Sequence, residues 1–131
     1  MWRLLLAHHG PDDEARCIHI GGLSLCRRCT AVWPIAGAVI LAGLAGSLPV
    51  PHDMELALWL GPPTGEYLAV HTGRARYHRG RTWVFGLLFG VGLGRLFHRH
   101  LLDPTDLVVW LVLGTVALVW AGAAAFYQLR S

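Results

Sequence analysis

Long apolar stretches separated by short polar segments dominate the chain. The first runs over residues 31–50, carries no charged residue and is long enough to cross a hydrocarbon core of ~30 Å as a helix. Further apolar stretches cover residues 55–70, 82–97 and 106–127. The pattern predicts a single all-α membrane domain over residues 1–131, a bundle of about four transmembrane helices.

The second stretch is interrupted by the run Gly61-Pro62-Pro63-Thr64-Gly65-Glu66. Proline has no backbone N–H to donate, and its ring clashes with the preceding helical turn. We therefore expect the second helix to be short and broken at Pro62-Pro63. Irregular backbone at membrane depth is tolerated only where protein or water covers it.

Glycines recur every four residues in the third stretch, at Gly86, Gly90 and Gly94. Small residues at this spacing let two helix backbones approach closely. The third helix is therefore predicted to lie at the centre of the bundle.

Composition agrees with a membrane protein, because 54% of the 131 residues are hydrophobic. A soluble domain of this length could not hide so much apolar surface in one core. All 11 basic residues are arginines, and they flank the apolar stretches instead of forming one basic face. This distribution argues against nucleic acid as a partner.

The arginines also predict an orientation. Four crossings would leave Arg95 and Arg99 on one side of the membrane and every other arginine on the opposite side. Because cytoplasmic loops are enriched in arginine and lysine, both termini are expected to be cytoplasmic.

The N-terminal segment, residues 1–29, carries the residues best suited to bind a metal. Cys26-x-x-Cys29 comes immediately before the first apolar stretch, and this spacing can present two thiolates to one ion. A tetrahedral zinc site needs two more ligands, and the candidates are His8, His9, Cys17 and His19. Mixed sulfur and nitrogen ligands favour zinc over other metals. Thiol redox chemistry and simple packing of the cysteines are the alternatives.

The segment resembles a family of small prokaryotic membrane proteins catalogued as a domain of unknown function. The family pattern has Cys-His, then Pro and Arg, then Gly, and finally Pro-x-Cys-x-Arg-Cys-Thr-Gly with an aromatic residue. His8-His9 occupies the Cys-His position, and the residues that follow the rest of the pattern are Pro11, Arg16, Gly21, Cys26, Arg28, Cys29, Thr30 and Trp33.

Two departures from that family pattern matter. His8 stands in place of the family's first Cys, and Thr30-Ala31 stands in place of Thr-Gly. The resemblance extends loosely through Pro62 to Glu66 and reaches about residue 97. It implies the fold, the Cys/His site and a prokaryotic inner, or cytoplasmic, membrane as the location, but no activity.

Two further groups of residues are candidates for function. Glu66 is a carboxylate within or near an apolar stretch, which makes it a candidate catalytic residue or a partner for a neighbouring arginine. A cationic segment follows it and could hold a phosphate or lipid head group, or act only as a topology determinant. Its residues are His71, Arg74, Arg76, Arg79 and Arg81.

On the opposite side, His98-Arg99-His100 is expected to be a solvated helix end. No histidine lies in the middle of a confident apolar stretch, so no haem is expected.

These features lead to three alternative functions. The first is a zinc-binding membrane protein whose metal site has a structural or scaffolding role. The second is a metal-dependent membrane enzyme acting on a lipid or isoprenoid phosphate, and the third is a thiol redox protein using Cys26 and Cys29. The expected partners are the lipid bilayer and either a larger membrane complex or further copies of the chain. The sequence does not decide whether the protein is an enzyme.

Overall fold

The computed structural model describes residues 16–130 of the chain, the side chain of Ser24 excepted. This part consists of a β-hairpin followed by four helices. The elements are β1 (Cys17–Ile20), β2 (Leu23–Cys26), α1 (Arg27–Leu44), α2 (Asp53–His71), α3 (Arg79–Leu102) and α4 (Leu107–Arg130). The predicted bundle of four helices is confirmed for the described residues, whereas the hairpin was not predicted.

The hairpin forms where residues 1–29 had been interpreted only as a ligand-bearing segment. Its two strands are joined by Gly21 and Gly22, whose φ angles of 54° and 80° lie in the left-handed region. A two-residue turn with positive φ at both positions matches the twist of antiparallel strands, and glycine adopts it without strain. The resulting register places Cys17 directly opposite Cys26.

The glycine-rich helix α3 packs between α1 and α2, as the glycine repeat predicts. A methyl group built on Gly90 would lie 2.7 Å from the carbonyl oxygen of Val32 on α1. On the other side of α3, a methyl group on Gly92 would lie 2.8 Å from Leu60 on α2. Both distances are shorter than a carbon atom allows, so the close approach of the three helices requires glycine. Helix α4 packs mainly against α2.

The prediction that α2 is broken at Pro62-Pro63 is wrong, because α2 runs without interruption from Asp53 to His71. The two prolines remove the donors that would bond the carbonyl groups of Leu58 and Trp59. Pro63 is fully buried and packs in the interior of the bundle. Burial of the helix outweighs the loss of two backbone hydrogen bonds.

The helix ends differ from the predicted boundaries because polar residues extend the helices. Helix α1 begins at Arg27, before the apolar stretch, and its chain turns at Gly46, where φ is 79°. Helix α3 continues through His98-Arg99-His100 to Leu102. The helices therefore carry charged residues at both ends of the bundle.

Two of the described helices, α1 and α4, are long and apolar enough to cross a membrane, judged by length and composition. Helices α2 and α3 carry more charge and contribute much of the interior. The core residues are Val32, Ala36, Leu56, Leu60, Phe89, Leu93, Leu96 and Val109. Helix α4 has a mostly exposed apolar surface, which includes Leu111 and Leu118.

Candidate functional site at the arginine-rich end

One end of the bundle collects almost all the arginines. The helices run alternately up and down, so the beginnings of α1 and α3 meet the ends of α2 and α4. We call this the arginine-rich end; its described arginines are Arg16, Arg27, Arg28, Arg74, Arg76, Arg79, Arg81 and Arg130. Among residues 16–130, Glu66 is its single carboxylate.

Glu66 holds two arginines from different helices. Its Oε2 atom accepts a hydrogen bond of 2.6 Å from Nη2 of Arg28 on α1, and both side chains are more than nine-tenths buried. Its Oε1 atom lies 3.4 Å from Nε of Arg81 on α3, whose side chain is 37% exposed. Arg81 also donates to the backbone carbonyl of Arg76. Glu66 therefore joins three helices and the loop between α2 and α3.

Aromatic rings form one wall of this ion-pair cluster. The Arg28 guanidinium carbon lies 4.9 Å from the ring centre of Tyr67 and 5.5 Å from that of Trp120. Tyr67 and Trp120 stack with their centroids 3.9 Å apart, and Trp120 stacks in turn on Phe89 at 4.6 Å. Such rings attract a cation through their negative faces. The contacts with these rings therefore offset part of the free-energy cost of removing the Arg28 guanidinium from water.

Three polar side-chain atoms of the described residues at this end are buried without a hydrogen-bond partner. They are Nε of Arg27, Nη1 of Arg28 and Oγ1 of Thr82, and the Thr82 residue is only 2% exposed. Thr82 lies one helical turn before Gly86, and a methyl group on Gly86 would lie 3.7 Å from Cγ of Arg28. Residues four apart share a helix face, so Thr82 lies on the side of α3 that meets Arg28.

The three cysteines gather beside this cluster. Cys17 is paired with Cys26 across the hairpin, and Cys26 is the residue immediately before α1. The thiols of Cys26 and Cys29 are hydrogen bonded. None of the three forms a disulfide.

The structure describes only one of the remaining predicted metal ligands. His19 is exposed on β1, and His8 and His9 lie outside the described residues. Within the part of the chain that the structure describes, no group of three or more His, Cys, Asp or Glu residues is arranged to hold a metal ion.

The predicted cationic segment is brought only partly into the site. Arg81 reaches Glu66, and His71 is buried and stacks on Tyr67 with centroids 3.9 Å apart. The three other arginines of the segment, Arg74, Arg76 and Arg79, are exposed. The sequence interpretation missed Tyr67, Trp120 and the pairing of Arg28 with Glu66, because each depends on contacts between distant parts of the chain.

The opposite end is an ion-pair network, and the prediction of a solvated helix end there is wrong. Arg99 donates to Asp53 on α2 at 2.5 Å and to Asp106 before α4 at 2.6 Å. His98 is 2% exposed and packs against Gly43 on α1. His98 is buried and Arg99 and His100 are half-buried, because α3 continues past them to Leu102.

Comparisons of the chain with protein-family models, with curated proteins and with solved structures give no match. The family resemblance drawn from the N-terminal segment stays a prediction.

Proposed function

We propose that the protein is a small integral membrane protein that binds zinc through its N-terminal Cys/His cluster, with a structural or scaffolding role. The observation that carries the proposal is the gathering of Cys17, Cys26 and Cys29 where the hairpin meets α1. Directly opposite residues in an antiparallel pair have Cβ atoms about 5 Å apart on one face of the sheet. Side-chain rotation can therefore turn three thiolates toward one ion.

The fourth ligand would come from a histidine. His19 shares a strand face with Cys17, because residues two apart point the same way. His8 and His9 are the alternatives that the sequence offers. When bound, zinc with four protein ligands would supply a cross-link between the hairpin and the start of α1, and would leave no position open for a substrate.

Membrane integration is supported by the two apolar helices and by the uneven charge of the two ends. The described arginines lie at one end, except Arg95 and Arg99, and four of the five described carboxylates lie at the other. The arginine-rich end, with both chain termini, is the cytoplasmic one in this proposal. Its reducing surroundings would keep the cysteines available as metal ligands.

The enzyme alternative has less support from the geometry. Both carboxylate oxygens of Glu66 face arginines, so this group acts as an ion-pair partner and not as a ready acid or base. The thiol redox alternative has a specific observation in its favour, which is the contact between Cys26 and Cys29. Metal content and thiol oxidation distinguish it from the zinc proposal.

The proposal is tested by elemental mass spectrometry of protein purified in detergent. We expect about one zinc per chain, and its loss in Cys26→Ser/Cys29→Ser and in Cys17→Ser. His8→Ala, His9→Ala and His19→Ala identify the fourth ligand, and His52→Ala at the opposite end is the matched control. If the wild-type protein contains no stoichiometric metal and Cys26 and Cys29 oxidise reversibly, the zinc proposal is wrong and the thiol redox alternative takes its place.

A further inference from the structure

We infer that the cluster of Arg28, Glu66, Arg81 and Thr82 binds a phosphate group, and that the ligand is a phosphate ester at the membrane surface. This site uses none of the proposed zinc ligands, so it goes beyond the proposed function.

The cluster has more positive than negative charge. Two guanidinium groups share the carboxylate of Glu66, and the other described carboxylates lie at the opposite end of the bundle. Arg28 is 7% exposed, so water can do little to stabilise its charge. A buried charge without full compensation is costly, and intramembrane arginines are normally paired. An anion bound at the cluster supplies the missing negative charge.

The unpaired donors match a phosphate. Nη1 of Arg28 and the hydroxyl of Thr82 are buried without partners on facing sides of α1 and α3. Nε of Arg27, the first residue of α1, is also buried without a partner. The beginnings of α1 and α3 both lie at this end, and helix N-termini carry partial positive charge that favours phosphate. Guanidinium groups bind phosphate through paired N–H donors.

Arg81 gives the cluster its connection to the surface. Its side chain is 37% exposed while its Nε atom faces Glu66. The aromatic wall of Tyr67 and Trp120 lies on the inner side, which favours a ligand with apolar parts. A phospholipid with an exposed phosphomonoester fits these surroundings best, since acyl chains would continue along the apolar helices. Inorganic phosphate shares the same recognition chemistry without the chains.

The test measures ligand binding to the full chain, freed of lipid in a non-ionic detergent. Native mass spectrometry follows titration with phosphatidic acid, with uncharged diacylglycerol of the same chains, and with inorganic phosphate as competitor. We expect phosphatidic acid to bind and diacylglycerol not to bind. Arg81→Gln should weaken binding roughly tenfold or more, because it removes charge-assisted hydrogen bonds. Arg79→Gln, exposed at the same end, is the matched control and should change binding less than about threefold.

Thr82→Val provides a second variant that keeps the shape of the side chain. Removing a buried hydroxyl that has no partner should leave the fold intact, while phosphatidic acid binds several-fold more weakly. Equal losses in Arg81→Gln and Arg79→Gln would overturn the site in favour of diffuse attraction, and so would equal binding of diacylglycerol. If inorganic phosphate displaces phosphatidic acid at a similar concentration, the phosphate site is supported and its ligand is a free phosphate. Zinc content should not change in Arg81→Gln, so the two proposals fail independently.

Discussion

Arg95 on α3 donates hydrogen bonds to both carboxylate oxygens of Glu55 on α2, at 2.7 and 3.3 Å. The Arg95 side chain is only 5% exposed. Together with the pairing of Glu66 at the arginine-rich end, this contact gives α2 an ion pair with a buried arginine near each of its ends. The charges of Glu55 and Arg95 are thus neutralised within the bundle. They specify how the helices align.

The Glu66 ion pairs predict a characteristic response to mutation. Glu66→Leu leaves the guanidinium of Arg28 buried without its carboxylate, and we expect it to lower the free energy of unfolding by about 3–5 kcal/mol. The double variant Glu66→Leu/Arg28→Met removes both charges and should recover most of that loss. Unfolding in a graded series of denaturing detergent measures both. Equal destabilisation in the single and double variants would contradict the ion-pair account.

The close contact of α3 with α1 predicts opposite effects for two glycine substitutions. Gly90→Ala places a methyl group 2.7 Å from the carbonyl oxygen of Val32, so the helices must separate and stability should fall by roughly 1–3 kcal/mol. Gly114→Ala on α4 meets nothing within 4 Å, so the higher helix propensity of alanine should raise stability by up to about 1 kcal/mol. Thermal unfolding in detergent compares the two. If Gly90→Ala leaves the stability unchanged, the interface between α1 and α3 is looser than described.

The network at the opposite end predicts acid sensitivity. Hydrogen bonding to the Arg99 guanidinium lowers the pKa of Asp106 below its ordinary value of about 3.9. A carboxyl group with a lowered folded-state pKa stabilises the protein above its unfolded-state pKa, and this contribution is lost as pH falls through the folded-state value.

Asp106→Asn should therefore lower the unfolding midpoint near pH 6 and have a smaller effect near pH 3, because the stabilisation is lost progressively below the unfolded-state pKa. Asp103→Asn is the matched control, because Asp103 accepts hydrogen bonds from Thr105 and has no ion pair with Arg99. An Asp106→Asn effect of the same size at both pH values would count against the ion pair as its cause.

The charge difference between the two ends predicts the orientation in the membrane. Alkaline phosphatase fused to the C-terminus should be inactive in a bacterial host, because that end is expected in the cytoplasm. Phosphatase fused after Thr105, between α3 and α4, should be active. Active enzyme in the C-terminal fusion would reverse the orientation, and inactive enzyme at both points would contradict four crossings.

Parts of the fold that depend on local sequence could be predicted. The spacing of Gly86, Gly90 and Gly94 indicated a central α3 because close helix packing leaves few alternatives to glycine. The break at Pro62-Pro63 was predicted wrongly, since the packing of Pro63 and the rest of α2 is a tertiary effect. The hairpin was missed although Gly21-Gly22 was a turn signal, because strands of four residues have too little pattern to stand out.

The sequence identified individual residues of the candidate site but not the contacts between them. Glu66 stood out as a carboxylate beside apolar sequence, and Cys26 and Cys29 stood out by their spacing. The partner of Glu66 is Arg28, which is 38 residues away. That pairing depends on how α1 and α2 align, and no local pattern encodes it. The same holds for the stacking of Tyr67 on Trp120 across α2 and α4.

The most direct test of the zinc proposal is X-ray absorption at the zinc edge on protein purified with its metal. The zinc proposal predicts three sulfur neighbours at about 2.3 Å and one nitrogen at about 2.0 Å. A first shell of oxygen and nitrogen atoms alone would contradict it, because zinc would then be bound away from the three cysteines.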